Sequence, residues 1–139
     1  MPTIRPAELS DSDALFSLAR AFATSFTVER SAFESSFAAL LRSPEAFVAV
    51  ASDGERVVGY LLGFDHHTFY ANGRVSWVEE IMVAEEVRRR GVGRQLMKSF
   101  EAWARERRSR LVGLATRRAA PFYRSIGYEE SATYFRRLL

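Results

Sequence analysis

The chain of 139 residues contains no cysteine. This absence excludes a disulfide framework, a thiol nucleophile and a metal site built from thiolates. Long apolar runs are also missing: stretches such as residues 46–51 are far shorter than the roughly 20 residues that a membrane-spanning helix needs. The first residues, MPTIRPAELSDSD, lack a basic head followed by an apolar run, so we expect no signal peptide. These absences favour a soluble cytoplasmic protein.

The composition is that of a globular protein with a sizeable core. Apolar residues make up 47% of the chain and aromatic residues 13%, which is enough to bury a core in one domain spanning residues 1–139. The net charge is +3 and the sequence pI is about 9.7. This mild excess of positive charge suits an anionic ligand. Acidic and basic residues are interleaved, however, so we expect neither a nucleic-acid nor a membrane partner.

Hydrophobic periodicity and turn residues predict the secondary structure. Helical spacing predicts four helices: one beginning near Ser10 or Asp11, one ending before Pro44, one over 91–108 and one over 119–125. The predicted strands are 3–6, 46–51, 56–64, 75–83, 111–115 and the segment from residue 128 onward. The order β-α-α-β-β-β-α-β-α-β predicts an α+β (mixed α/β) fold with a central, mostly antiparallel twisted sheet and helices on both faces.

Three arginines and two glycines stand between a predicted strand and a predicted helix, in VRRRGVGRQLM (residues 87–97). The first N–H groups of a helix have no internal partner, and the helix dipole places partial positive charge there. Glycine lets a ligand approach the backbone closely. The stretch is therefore a candidate anion site over Arg89 to Arg94, whereas two glycines alone favour the alternative, a tight turn with solvated arginines.

The spacing of the glycines shows which of the known phosphate-binding motifs this segment matches. Leu96 stands where the dinucleotide pattern G-x-G-x-x-G needs its third glycine, and no P-loop is present. The pattern R-x-x-G-x-G, formed by Arg88, Gly91 and Gly93, resembles the pyrophosphate signature of the GNAT superfamily of N-acetyltransferases, which bind acetyl-CoA. Two further segments are similar to that family: E-E-I-M-V (residues 79–83) and A-x-x-F-Y-x-x-x-G-Y (residues 119–128).

The resemblance implies a GNAT-like fold and a set of cofactor-binding positions. In such proteins the end of the fourth strand pairs with the pantetheine arm, and the tyrosine of the second motif lies beside the CoA sulfur. Thr116 stands where the family often has asparagine, seven residues before that tyrosine. The implied acetyl-CoA-binding residues are Ile81, Met82, Val83, Arg88, Arg89, Arg90, Gly91, Val92, Gly93, Arg94, Thr116, Phe122 and Tyr123.

Acetyl transfer from a thioester to an amine needs a base for the ammonium, donors for the developing oxyanion and an acid for the leaving thiolate. Alternation along a strand predicts that Glu80 shares a face with Val78 and Met82, and that Glu79 shares the other with Trp77, Ile81 and Val83. In relatives that acetylate polyamines, the glutamate at the Glu79 position contacts the amine.

These considerations assign the catalytic roles. We expect Glu79 to be the base, with Glu80 as second candidate; an ordinary surface carboxylate is the alternative for either. Tyr123 is the expected acid, with a core tyrosine as its alternative. Backbone amides at Ile81 to Val83 are the expected oxyanion donors.

The predicted function is therefore N-acetyl transfer from acetyl-CoA to a primary amine, small and cationic, carried by a small molecule or a protein. The alternative is a non-catalytic acyl-CoA-binding sensor of the same fold. His66 and His67 have no partners at ligand spacing, so no metal site is expected; a role in lining the acceptor pocket stays open. A homodimer is compatible with the sequence, which does not determine the oligomeric state.

Overall fold

The computed structural model describes residues 1–139, which form five β-strands and four α-helices. The strands are β1 (Thr3–Pro6), β2 (Ala46–Asp53), β3 (Arg56–Thr68), β4 (Gly73–Val83) and β5 (Val112–Leu114). The helices are α1 (Ser12–Phe22), α2 (Arg30–Arg42), α3 (Val92–Glu106) and α4 (Ala120–Ser125). Short 3₁₀ turns lie at Leu9–Asp11 and Glu85–Val87. No helix has both the length and the apolar character that crossing a bilayer requires.

The five strands form one sheet in the order of the sequence. Short turns at residues 54–55 and 69–72 join β2 to β3 and β3 to β4, so these neighbours are antiparallel. β4 and β5 are parallel, because α3 carries the chain back across the sheet between them. The predicted α+β fold with a mostly antiparallel sheet is confirmed.

Apolar side chains cover both faces of this sheet. On one face, α3 and α4 enclose a core in which Phe100 and Leu61 are completely buried. On the other face, α1 and α2 pack Leu15 and Phe37 against Tyr60 and its neighbours. The helices therefore lie on both faces, as predicted, and each face has its own core.

β4 contains an irregularity at the two predicted catalytic carboxylates. Its pairing with β3 slips by one residue between Val78 and Glu80, so Glu79 opposes no partner. Such a bulge shifts the alternation of the residues on its two sides relative to each other. The predicted common face of Val78, Glu80 and Met82 is consequently wrong for Val78, which packs in the α3 core whereas Met82 packs on the α1–α2 side.

The chain after α4 also departs from the predicted order. Residues 129–139 form neither helix nor strand, so the sheet has five strands and the predicted last strand is absent. β5 is only three residues long and offers little ladder for another strand to extend. This C-terminal tail instead reaches the loop between α1 and α2, where Arg136 Nη2 donates to Ser25 Oγ at 2.9 Å.

Candidate active site

β4 and β5 separate halfway along β4. Their pairing is limited to Ser76–Val78 of β4 and Val112–Leu114 of β5. Over residues 79–83 the edge of β4 that faces β5 has no partner strand. The separation opens a cleft whose wall is the unpaired backbone of β4.

Amides of β4 face this cleft at alternate residues. Ala84 N–H donates to the carbonyl of Val58 on β3 at 2.7 Å. Because backbone groups alternate between the two edges of a strand, the N–H groups of Ile81 and Val83 point away from β3 and toward the cleft. They are free to donate to a ligand there.

A turn with a run of free amides joins β4 to α3. None of the backbone N–H groups from Arg89 to Arg94 donates a backbone hydrogen bond. Arg89 and Gly91 have left-handed backbone angles, with φ of 66° and 83°. Successive amides in such turns form a concave surface that binds anions, and the dipole of α3 adds partial positive charge.

The arginines of this turn differ in their surroundings. Arg88 Nε donates to the carbonyl of Val83 at 3.1 Å and so ties the turn to the end of β4. Arg89, Arg90 and Arg94 are exposed, and none of the three forms an ion pair. Their positive charges are therefore not neutralised by a carboxylate of the protein.

The two carboxylates of β4 have unequal environments. Glu79, at the bulge, is exposed, whereas Glu80 is half-buried and accepts a hydrogen bond from the Tyr60 hydroxyl at 2.7 Å. Tyr60 opposes Met82, which makes it the diagonal neighbour of Glu80 on the same face. Burial raises the pKa of Tyr60 well above its usual value, and the charge of Glu80 raises it further. The phenol therefore keeps its proton and donates it in the hydrogen bond to Glu80.

α4 brings Tyr123 to the cleft. Tyr123 is buried, and burial raises the pKa of its phenol. Its neighbour Phe122 packs on the first turn of α3, since a Cβ on Gly93 would lie 3.4 Å from the Phe122 ring. The ring of Tyr128 makes an edge-to-face contact with the ring of Tyr123, with a centroid distance of 5.9 Å. The Tyr128 hydroxyl donates a hydrogen bond to Glu101 at 2.6 Å. Tyr128 is thus satisfied inside the protein, whereas no protein acceptor is found for the Tyr123 hydroxyl.

Thr116 lies at the entrance to α4. Its hydroxyl oxygen accepts a hydrogen bond from the Ala119 amide at 3.1 Å, and its side chain is exposed. The residue therefore shapes the start of α4, while its O–H remains free to donate.

One cavity of about 1580 Å³ joins these elements. Its walls include both β4 carboxylates, Tyr123 and five further predicted site residues. The predicted site residues that line it are Glu79, Glu80, Ile81, Met82, Arg88, Thr116, Phe122 and Tyr123. Val83 and residues 89–94 do not line it; Arg89, Arg90, Gly91 and Arg94 are exposed next to it.

Several lining residues carry no signal in the sequence. Tyr60 stands in an apolar strand, and only its register against β4 reveals its bond to Glu80. The loop between α1 and α2 and the C-terminal residues Tyr134 and Arg136 also line the cavity. No local motif marks them, because they reach the site through contacts between distant parts of the chain.

The two histidines lie away from this cavity. His66 and His67 are exposed near the end of β3 and are not among the lining residues. His66 Nδ1 lies 3.2 Å from the carbonyl oxygen of His67. A role in lining the acceptor pocket is therefore not supported. No group of three or more His, Asp or Glu residues is arranged to hold a metal ion.

The structure is thus an α+β fold with a turn of free amides beside a carboxylate-bearing cleft. A sequence model of the acetyltransferase (GNAT) family matches residues 13–128. The chain therefore belongs to the GNAT acetyltransferase family, whose members use acetyl-CoA as acetyl donor.

Known proteins resemble the chain locally in sequence and globally in fold. Mouse N-alpha-acetyltransferase 80 is 44% identical over 52 residues, which are 37% of this chain and 17% of that protein. A transcriptional regulator from Bacillus halodurans C-125 superposes with a TM-score of 0.92 at 21% identity, covering all of both chains. An aminoglycoside N-acetyltransferase in complex with CoA has a TM-score of 0.85 at 18% identity, covering 99% of this chain and 95% of that one. At these identities the two structural matches show the fold alone.

Proposed function

We propose that residues 1–139 act as one N-acetyltransferase domain that moves an acetyl group from acetyl-CoA to a primary amine by direct attack. The observation that carries this proposal is the convergence of Glu79, Glu80 and Tyr123 on one cavity beside a run of free amides. A base, an anchoring charge and an acid for the leaving group are thereby available at the same place.

The residues available fit the cofactor. The free amides of residues 89–94 and their exposed arginines suit a pyrophosphate, and the unpaired edge of β4 suits the amide groups of pantetheine. Acetyl-CoA supplies the acetyl group as a thioester. The free amides of Ile81 and Val83 are the proposed donors to the thioester carbonyl oxygen, and the Tyr123 hydroxyl is the proposed donor to the sulfur.

Gly91→Val should abolish the stabilisation of the protein by acetyl-CoA. A branched side chain at the positive φ of Gly91 is strained, and it adds bulk within the run of free amides that is proposed to hold the phosphates. For the wild type, acetyl-CoA at about a hundred times its dissociation constant should add roughly 2.7 kcal/mol of stability. The measurement is the melting temperature of each protein with and without acetyl-CoA.

Gly54→Val is the matched control for this variant. Gly54 also has a left-handed φ, of +65°, in open space, but it lies in the turn between β2 and β3. Both variants should melt earlier than the wild type, and only Gly91→Val should lose the shift with acetyl-CoA. A full shift in Gly91→Val would contradict the pyrophosphate assignment.

The unequal environments of the carboxylates suggest unequal roles. Glu80 is half-buried, and the hydrogen bond from the Tyr60 hydroxyl fixes the position of its carboxylate. We assign Glu80 to holding the incoming ammonium. Glu79 is exposed and has no protein partner, so it is free to take the proton, directly or through water.

Tyr60→Phe should raise the KM for the amine about fivefold and leave the acetyl-CoA shift unchanged, since one ordinary hydrogen bond contributes about 1 kcal/mol. The KM is expected to rise because, without the Tyr60 hydroxyl, the Glu80 side chain is no longer held in place at the cavity. Tyr128→Phe is the control, since it also deletes a tyrosine–glutamate bond, to Glu101 at 2.6 Å, away from the carboxylate pair. An equal rise in KM in both variants would mean that Tyr60 acts only through general stability.

Release of free CoA thiol in the presence of a panel of amines tests the proposed function directly. The panel should contain alkylamines, diamines, amino acids, aminoglycosides and peptides with free N-termini. We expect amine-dependent thiol release, with an acetylated product identified by mass spectrometry. If acetyl-CoA raises the melting temperature while no amine triggers release, the chain is a sensor of acyl-CoA and the proposal is wrong.

A further inference from the structure

The C-terminal tail contributes a cation to the cavity. Residues 129–139 have no regular secondary structure, but Tyr134 and Arg136 line the same cavity as the β4 carboxylates. Arg136 is held there by its hydrogen bond to Ser25, which lies in the loop between α1 and α2. The guanidinium has further N–H donors that this single bond does not use.

The arginines that line the cavity have no carboxylate partner in the protein. Six arginines form ion pairs, and none of the six lines the cavity: Arg5, Arg30, Arg56, Arg74, Arg107 and Arg124. The four lining arginines, by contrast, form no ion pair: Arg88, Arg117, Arg118 and Arg136. Three carboxylates line the cavity, namely Glu29, Glu79 and Glu80. The cavity is therefore not an acidic pocket of the kind that would favour a polycation.

Arg136 is held by a different part of the fold from the other three lining arginines. Arg88 is bonded to the end of β4, and Arg117 and Arg118 precede α4, which packs on the α3 face beside the free amides. Ser25, which holds Arg136, belongs to the loop of the α1–α2 face. That is also the face on which Tyr60 and Glu80 meet. Arg136 is thus anchored on the loop of the face where Tyr60 and Glu80 meet, and its hydrogen bond is not to the turn of free amides.

Most of the residues that line the cavity are apolar, and several are aromatic. The aromatic residues include Phe22, Phe26, Phe33 and Tyr134. Phe26 and Tyr134 are strongly exposed, with 71% and 61% of their surface accessible, although each lines the cavity. Apolar surface of this kind favours a ligand with an apolar body.

We propose that Arg136 is a specificity-determining residue that binds an anionic group at the far end of the acceptor. The acceptor is then an amine joined through an apolar body to a carboxylate or a similar anion. Its ammonium end lies at Glu79 and Glu80, and its anionic end at the guanidinium. This assignment rests on the proposed function, because it describes the acceptor of that same reaction.

Matched amines that differ only in their far end test this assignment. Each amine has a butyl, hexyl or octyl chain, and each chain length is tested with three far ends: a methyl group, a carboxylate and a second ammonium. The value of kcat/KM for each amine is measured by thiol release. At the best chain length, the wild type should favour the amino acid over the alkylamine by about tenfold or more, as expected for a charged hydrogen bond. The diamine should be the poorest of the three, because its far ammonium meets Arg136.

Variants at two adjacent arginines isolate the contribution of Arg136. Arg136→Ala should lower kcat/KM for the amino acid to the level of the alkylamine and leave the alkylamine unchanged. Arg136→Lys should keep part of the preference. Arg137→Ala removes an equal charge from the same exposed tail, at a residue that does not line the cavity, and should keep the full preference.

Three results would overturn the assignment, and they differ from one another. A preference of the wild type for diamines would show that the far end is not anionic. A rise in KM for acetyl-CoA in Arg136→Ala, equal for all acceptors, would show that Arg136 contacts the cofactor. The absence of thiol release with any amine would refute the proposed function itself, and this assignment with it.

Discussion

Glu79→Gln is expected to lower the turnover number on the acceptor amine by about 10²-fold or more, the range typical of a lost general base. An alkyl ammonium has a pKa of about 10 and is not a nucleophile at neutral pH until it loses a proton. Glutamine keeps the size of Glu79 but cannot accept that proton. The loss should shrink as the pH approaches 10, because a growing share of the amine is then already free. The pH dependence of kcat is therefore the decisive measurement.

Glu80→Gln provides the comparison that separates the two roles. It should mainly raise the KM for the amine, because it removes the fixed charge that holds the ammonium beside Tyr60. Acetyl-CoA should raise the melting temperature of both variants as much as that of the wild type. If instead the pH-dependent loss of kcat occurs in Glu80→Gln and not in Glu79→Gln, the roles of the two carboxylates are exchanged.

Tyr123→Phe should lower the turnover number by about 10²-fold, within the usual range for a positioned acid. Burial raises the pKa of Tyr123, so the phenol is protonated throughout the neutral range. A thiol such as that of cysteine has a pKa of about 8.5, so full proton transfer from the phenol is uphill in solution. The benefit of Tyr123 must therefore come from donating to the sulfur as its negative charge develops.

Two comparisons make this prediction specific to the hydroxyl. An acyl donor with a less basic leaving thiol should lose less activity in Tyr123→Phe, because it needs the proton less. Tyr128→Phe deletes a hydroxyl whose partner is Glu101 and should keep turnover near that of the wild type. Normal turnover of Tyr123→Phe with acetyl-CoA, under conditions in which chemistry limits the rate, would make Tyr123 a core aromatic residue only.

The sequence did not predict the register of β4, and so it did not predict correctly which β4 residues share a face of the sheet. Strict alternation assigned Val78, Glu80 and Met82 to one face, and the bulge at Glu79 moves Val78 to the other. A bulge depends on how β3 and β4 pair along their whole length, and no residue of the segment VSWVEEIMV (residues 75–83) predicts it. The same pairing brings Tyr60 to Glu80, twenty residues away in sequence.

The strand predicted after residue 128 shows a similar limit. TYF is a reasonable strand sequence, but a strand forms only where a neighbouring edge can accept its hydrogen bonds. The three residues of β5 offer too little edge, and the tail lies against the α1–α2 loop instead. Its contribution to the cavity depends on a contact between residues 111 positions apart.

The sequence by itself determined the features that depend on neighbouring residues. Amphipathic periods predicted the four helices, and the order of elements predicted the antiparallel sheet. The strand, the R-x-x-G-x-G turn and the helix that follows predicted the free amides, because a glycine at positive φ and a helix N-terminus are local properties of the chain. Only the tertiary structure decided the bulge at Glu79, the bond from Tyr60 to Glu80 and the position of Arg136 in the cavity. Each of these depends on packing between segments far apart in sequence, which local propensity does not encode.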